Sequence, residues 1–413
     1  MAILNRDKFP MTFTWGSCNA LDKTYIRWIE NGKDHRIFGY KDYNDTDYWY
    51  IEIMHGDVFY SFPLETLIPL DVLDRIRQGQ VVLILSNFSE AYHSVIEDIY
   101  IHTVINGGIP PEQILLYTNS PDIIQEINYI SNQFNLNPIR AHLLFEFEIV
   151  ANNTITYSTN LEKERRCYTV NTLGLKEYTK KYLSYNGMRR PHRVSIVALL
   201  ASMDILKHGY VSYNSYVRSD ADKIDAKRNY DEMLIWHAES PRFIDILQNN
   251  EQMLSNLSSM YLDTEPGILN SMGEYHQITK KFFEETYFSV VTETLCMKKF
   301  SNDGKTGMGR ILSEKTFKAI LNHHPFLLVA VPRSLQFLKS MGYKTFHPYI
   351  NEDYDNEMDD SKRILMIADE VKRLCELSPN QLQEFLTATK EIVKYNFQIL
   401  KSKKGPWLIP LIN

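Results

Sequence analysis

Two clusters of side chains in this sequence combine types and spacings suited to chemistry. The first is Arg189-Arg190-Pro191-His192-Arg193, which stands directly before an apolar run at 194–207. Proline suits the first turn of a helix, and the free backbone N–H groups there favour an anion. Guanidinium groups add bidentate phosphate contacts. The competing reading is a solvated charge run at a domain junction. The second cluster is Thr292-Glu293-Thr294 followed by Ser313-Glu314-Lys315. Glu293 falls at the end of a β-rich run and Glu314 at the start of a predicted helix. Ser313 reads as its N-cap and Glu314 as an acid in the first turn. Alternatively, Glu314 accepts hydrogen bonds from ribose hydroxyls while Lys315 faces a phosphate. A third candidate, Glu90, follows a predicted strand at 81–85 through the turn 86–89. A carboxylate at that end of a strand can serve as general base toward an acceptor hydroxyl. It can equally be a first-turn acid stabilised by the helix dipole.

Other signals fail on spacing. Gly304-Lys305-Thr306 resembles the end of a phosphate-binding loop, but the earlier glycine of that motif would fall on Lys299. Asp45-Thr46-Asp47, Asp220-Ala221-Asp222 and Asp353-Tyr354-Asp355 are Asp-x-Asp triplets that follow no clear strand, and 51 acidic residues produce such triplets by chance. His323-His324 would diverge on a helix, which does not suit a metal. No metal site is expected. Cys18, Cys167, Cys296 and Cys375 have no Cys-x-x-Cys spacing, so neither zinc nor a disulfide framework is expected.

The elements that must position these residues alternate. Strands are predicted at 49–54, 81–85, 114–117 and 141–147, with helical patterns at 91–106 and 121–134. The first of these helices stops at Gly107-Gly108. Strand, helix and strand within about 35 residues imply a right-handed crossover and a parallel sheet. The middle is more helical, with an insertion at about 223–262. A second alternation begins at 288: a strand, a glycine-rich loop at 301–309, a helix at 313–322, a strand at 326–331, a helix at 334–341 and a short extended piece at 343–346. Helices at about 360–377 and 380–398 follow.

The chain has 413 residues, 44% hydrophobic and 23% charged, which excludes wholesale disorder and suits two α/β units. The net charge of −6 is uneven. Residues 1–150 carry 10 Lys and Arg against 20 Asp and Glu, or −10; the rest carry 35 against 31, or +4. Within the rest, 161–193 holds nine basic and three acidic residues. The acidic first part argues against a broad nucleic-acid-coating face, and the local basic stretch suggests a compact phosphate group. No apolar run approaches the roughly 18 to 20 residues of a membrane span, and MAILNRDKFP lacks a signal peptide's apolar core, so a cytoplasmic protein is expected.

Several separated motifs resemble a family of glycosyltransferase-like proteins common in bacteriophages. They are Val291-Thr292-Glu293-Thr294, Leu312-Ser313-Glu314-Lys315-Thr316 with Lys318 and Ile320, and His324-Pro325-Phe326. Ser334-Leu335 through Gly342-Tyr343-Lys344-Thr345-Phe346 and Glu352-Asp353-Tyr354-Asp355 complete the set. The family's basic element is matched by Asn186, Arg190, His192 and Arg193. Gly187 departs from it, so one positive group is missing or supplied by Arg189. The match covers roughly 182–213 and 286–363, under a third of the chain. The same motifs are similar, more distantly, to the nucleotide-binding half of α-1,3-fucosyltransferases.

That resemblance implies an α/β fold of GT-B type: two Rossmann-like domains facing a cleft, with a C-terminal helix crossing back. It implies an acceptor domain at 1–150, a nucleotide-sugar donor domain at 151–395, and a tail at 396–413 packing on the first domain. It gives Glu314 to the ribose, Lys315, Arg190 and Arg193 to the diphosphate, and places Glu293 nearby. The implied activity is metal-independent glycosyl transfer from a nucleotide-sugar, inverting if Glu90 acts as base, with no cofactor beyond the donor substrate. The acceptor is either a glycan or a hydroxymethylated base in phage DNA, which would have to be flipped into the cleft. The rival class is a non-catalytic sugar-nucleotide binder or structural phage protein.

Overall fold

The computed structural model describes residues 23–30, 33–40, 48–52, 64–87, 95–144, 148, 178–187, 189–213, 226–260, 262, 280–297, 310–402 and 408–410. The chain divides into two compact units, Met1–Val150 with Ser301–Ile311 and Lys404–Asn413, and Ala151–Phe300 with Leu312–Lys403.

The first unit opens on an antiparallel pair, β1 (Lys23–Glu30) and β2 (Lys33–Tyr40). Its main sheet comprises β3 (Tyr48–Glu52), β4 (Val82–Asn87), β5 (Ile114–Thr118) and β6 (Arg140–Leu144). These four are parallel and lie in chain order. β11 (Leu408–Pro410) closes the edge antiparallel to β6. Strands that advance in one direction through right-handed crossovers place their helices on one face. Leu83, Leu85, Ile114 and Leu116 accordingly share one core with Leu64, Val72, Ile76, Ile99 and Ile127 of the intervening helices. The opposite face, including Ile84 and Leu115, is also buried, and the fully buried β5 has the apolar run expected of an interior parallel strand.

The helix expected at 91–106 is α-helical over Val95–Asp98 and π-helical over Ile99–Ile105 in its described part. Gly107 follows it where no side chain fits, since a Cβ there would lie 2.2 Å from Leu64 Cδ1 and 2.6 Å from the Thr103 carbonyl, and Gly108 then turns the chain in the left-handed region (φ 65°). The helix Ile123–Phe134 ends on Asn135 in the left-handed region (φ 53°), whose neighbour Leu136 returns its N–H to Ser131. Arg310, from the short segment assigned to this unit, gives its guanidinium and its backbone N–H to the carboxylate of Asp122.

The second unit has a four-stranded parallel sheet in the order β10-β9-β7-β8. Its strands are β7 (Tyr182–Ser184), β8 (Gly209–Val211), β9 (Phe288–Thr292) and β10 (Phe326–Val329). From β7 the chain runs to β8 on one side, then returns to β9 on the other. Right-handed crossovers therefore put the helix Pro191–Ser202 and the helix Glu314–Leu321 on opposite faces. The former packs against Ala226–Trp236, Pro241–Asn249 and Asp360–Glu376, and the latter against Pro379–Ser402. Residues 192–200 are buried on all sides, which accounts for a run over 194–200 that is apolar but for Ser195 and places this helix in the core.

Several boundaries differ from the sequence expectation. The run 194–207 is helical from Pro191 to Ser202, and Leu206–His208 forms a separate 3₁₀ turn before β8. Residues 343–346 are not a strand; the carboxylate of Glu352 fixes the end of this irregular stretch and the start of the turn after it by accepting from Thr345 Oγ1 (2.7 Å) and the N–H groups of Phe346 (2.6 Å) and His347 (3.1 Å). Residues 396–402 belong to the helix Pro379–Ser402 of the second unit, and only Lys404–Asn413 is counted with the first. Among the described residues no helix is long and apolar enough to cross a membrane.

Candidate functional site

The reversal of strand order between β7 and β9 is a topological switch point, and open parallel sheets bind ligands outside the carboxyl ends of the strands there. Both basic and acidic clusters sit at this place. The loop after β7 leads through Arg189 and Arg190 into the helix Pro191–Ser202, and β9 runs directly into Glu293. Arg190 is extended at the N-cap, and Pro191 fits the first helical position because its missing N–H would find no partner in the helix.

Glu293 is wholly enclosed, with 0% exposure. Its carboxylate accepts the backbone N–H of Ser313 at 3.1 Å and the hydroxyls of Ser313 and Thr316. The N–H of Thr294 adds a fourth donor at 3.3 Å. Ser313 in turn caps the helix Glu314–Leu321 by accepting the N–H of Lys315. The carboxylate therefore joins the end of β9 to the start of that helix.

Behind it, His192 and Arg193 are buried and converge on the same backbone. His192 Nε2 lies 2.8 Å from the Glu293 carbonyl, which can only accept, so Nε2 carries the hydrogen. Arg193 donates to the carbonyls of Thr292 (3.4 Å) and Glu293 (3.2 Å). Burial holds the imidazole well below its ordinary pKa, and the Arg193, Arg190 and Lys315 charges push the same way. Burial also lowers Arg193 to about 10, reinforced by Arg190, while Glu314 and Glu293 oppose the shift. These mutual effects put Arg190, Arg193, Lys315, Glu293 and Glu314 within one electrostatic neighbourhood.

The half-buried residues form the open part of it. Lys315 Nζ pairs with Glu314 at 2.6 Å and reaches Ser313 Oγ at 3.1 Å. Burial pushes the Glu314 carboxyl up, but Lys315 and Lys318 more than offset that and hold it at about 2. The guanidinium of Arg190 has no hydrogen-bond or ion-pair partner among the described residues. Arg189 is engaged elsewhere: it donates to Asn229 (2.7 Å), pairs with Glu232 and stands over the Trp236 ring.

The motif residues bond largely to one another. Thr292 Oγ1 donates to Asn186 Oδ1 at 2.9 Å, which ties the ends of β9 and β7. His324 bonds Ser289 and the Thr286 carbonyl, so the histidine pair lies in the turn after the helix and not on it. Asp355, of an Asp-x-Asp triplet, accepts the first N–H groups of the helix Ser334–Ser340 from Leu335 (2.9 Å) and Gln336 (3.0 Å). The other two triplets lie outside the described residues, as does Glu90. Among the described residues no group of three or more His, Cys, Asp or Glu side chains is placed to hold a metal ion.

The sequence reading names Thr316 within a motif but gives it no role; it stands at the third position of the cap, where the spacing Ser-x-x-Thr was the signal. That reading missed Arg363, a lone arginine in a helical pattern. Arg363 is 1% exposed and donates to the carbonyls of Ala330 (3.0 Å), Glu357 (3.0 Å) and Cys296 and to Asp360 (2.6 Å). It thereby fastens the segments that leave β9 and β10 to the helix Asp360–Glu376. Cys296, buried beside it, has its thiol pushed up to about 11 by burial.

No family model matches the chain. No curated protein matches it either. Among solved structures, it is similar to the N-terminal domain of Candida albicans trehalose-6-phosphate phosphatase. That match has 11% identity and a TM-score of 0.32, covering 83% of this chain and 72% of that one. It is also similar to a UDP-forming α,α-trehalose-phosphate synthase from Burkholderia vietnamiensis, at 10% identity and a TM-score of 0.36, covering 94% and 88%. The described residues form a mixed α/β protein with two main sheets whose strands are parallel apart from β11, helices between those strands, and a charged cluster at the switch point of the second.

Proposed function

We propose that this protein is a nucleotide-sugar-dependent glycosyltransferase of GT-B type, and that the switch point of the second unit receives the donor's diphosphate. The observation that carries this reading is the guanidinium of Arg190, without a hydrogen-bond or ion-pair partner among the described residues, at a helix N-terminus on the switch point. Arg190 and its electrostatic neighbours Arg193, Lys315 and Lys318 stand with Glu293 and Glu314, four cations against two carboxylates, a surplus of two positive charges. A diphosphate complements that surplus, and backbone N–H groups add to it.

On this reading the residues divide by exposure. Arg190 and Lys315 touch the diphosphate, and Glu314, held ionised, accepts from the ribose hydroxyls. Arg193 and Glu293 are enclosed and act through their neighbours: Arg193 as a fixed positive charge, Glu293 by holding Ser313. As the sugar leaves, negative charge grows on the nucleoside diphosphate, and each well-placed cation is worth up to about 3 to 4 kcal/mol there. Glu90 removes the proton of the acceptor hydroxyl as its oxygen attacks the anomeric carbon, giving inversion. The acceptor is a glycan or a hydroxymethylated DNA base.

A melting screen against nucleoside diphosphates and nucleotide-sugars tests the donor site, since a ligand at a hundred times its Kd stabilises by about 2.7 kcal/mol. No shift with any of them overturns the reading. Transfer is then assayed onto glycans and onto duplexes containing hydroxymethylcytosine or hydroxymethyluracil, with Glu90→Ala alongside. Glu90→Ala should abolish transfer and keep donor binding. Donor binding without transfer to any acceptor would instead indicate a sugar-nucleotide binder.

A further inference from the structure

A buried relay of hydrogen bonds ends on the first residue of the helix that carries the candidate anion site. His237 follows the helix Ala226–Trp236 and is 0% exposed. Its ring stacks on Phe243 at 3.6 Å between centroids, with the planes 3° apart. Nδ1 lies 2.8 Å from Ser361 Oγ, in the first turn of Asp360–Glu376, and Nε2 lies 2.7 Å from Ser195 Oγ. Ser195 Oγ spends its hydrogen on the Pro191 carbonyl, 2.8 Å away. The hydrogen between Ser195 and His237 must therefore sit on Nε2. One imidazole thus links three helices and, through Ser195, holds the residue next to Arg190.

This arrangement is more than a burial of polar atoms. The guanidinium of Arg190 has no bond among the described residues, so its place depends on the backbone that bears it. That backbone is the first turn of Pro191–Ser202, where the carbonyl of Arg190 already receives the N–H groups of Arg193 and Val194 at 3.0 Å each. Few side chains in this turn can adjust, since His192 and Arg193 are fixed on Glu293.

We propose that His237 is a positioning residue for the anion site, acting through Ser195 and Pro191 on Arg190. The proposal rests on the reading of the switch point as a phosphate-binding site. Gln can imitate Nε2–H toward Ser195, whereas Leu cannot.

The test is calorimetric titration of the full chain with inorganic pyrophosphate, for wild type, Arg190→Ala, His237→Leu, His237→Gln and the double variant Arg190→Ala/His237→Leu. His237→Leu should weaken binding about tenfold and His237→Gln about twofold or less, and the double variant should bind no more weakly than Arg190→Ala alone, because coupled residues are not additive. Additive losses, or equal weakening by Leu and Gln, overturn the proposal. So does unchanged binding by His237→Leu. If His237→Leu does not fold, Ser195→Ala breaks the same relay without disturbing the ring stack, and the same non-additivity with Arg190→Ala is expected. Failure of wild type to bind pyrophosphate or any nucleoside diphosphate refutes the site reading itself, an outcome distinct from all of these.

Discussion

Ser313 donates both its backbone N–H and its hydroxyl to the carboxylate of Glu293, twenty residues away in sequence. This relationship makes a single acid the junction between a buried strand and the capped end of a helix. A residue expected beside a nucleotide is thus, in its carboxylate, fully occupied by the protein's own donors. Its influence on any ligand passes through Ser313, Glu314 and Lys315, the residues whose backbone it fixes.

Glu293→Ala should cost about 3 kcal/mol or more, since it leaves the donors of Ser313, Thr316 and Thr294 without their buried acceptor. Urea denaturation at pH 7 measures this. Ser313→Ala removes one cap hydroxyl and should cost about 1 to 2 kcal/mol. A Glu293→Ala protein as stable as wild type would refute the clamp.

Arg190→Ala should leave stability within about 0.5 kcal/mol, because the guanidinium makes no bond among the described residues. Pyrophosphate affinity should fall by about tenfold or more with loss of a charge-assisted contact. Melting and titration on the same sample separate the two. A large loss of stability would mean that Arg190 is structural.

Glu314 is held at about 2, so it stays ionised through the range where proteins are handled. Nucleoside-diphosphate affinity should therefore carry no titration from this group between pH 4 and 8. Glu314→Gln should weaken a nucleoside diphosphate and spare pyrophosphate, which has no ribose. Equal effects on both ligands would remove Glu314 from the ribose.

Burial holds His323 and His324 at about 4, against an ordinary value near 6.5. The unfolded chain takes up these protons first, so stability is full above pH 6.5 and falls as pH drops toward 4. Each histidine accounts for about 3 kcal/mol over that window. His324→Asn should flatten the acid limb of a denaturant midpoint measured from pH 7.5 to 4.5, and an unchanged limb would contradict the assignment.

Arg363→Ala should destabilise by about 3 to 5 kcal/mol, because it strands the buried Asp360 and several carbonyls. Arg363→Lys should recover little. One ammonium cannot span acceptors on Cys296, Ala330, Glu357 and Asp360 at once. Full recovery by Lys would show that charge alone suffices.

The main alternation of elements was readable locally. The strands at Ile114–Thr118 and Phe288–Thr292, the cap at Ser313 and the helix ending at Phe134 follow from short patterns of apolar residues, capping hydroxyls and turn formers. The strands β7, β8 and β11 were not, since three residues leave no period to detect. Nor was the π-helical stretch Ile99–Ile105, which differs from an α-helix in hydrogen bonding and not in composition.

Local patterns alone set the longer strands and helices and which of them carry charge, because periodicity, caps and charge are local. Tertiary structure alone decided that β9 lies beside β7, and the pair Tyr182 and Phe288 is joined across more than a hundred residues. That pairing brings Arg190 and Lys315 to one place. Packing at long range also sends Arg189 to Glu232 and closes Glu293 behind Ser313. Strand order depends on which buried faces pack and which donors find acceptors at long range. Neither is written in the residues on either side of a charge.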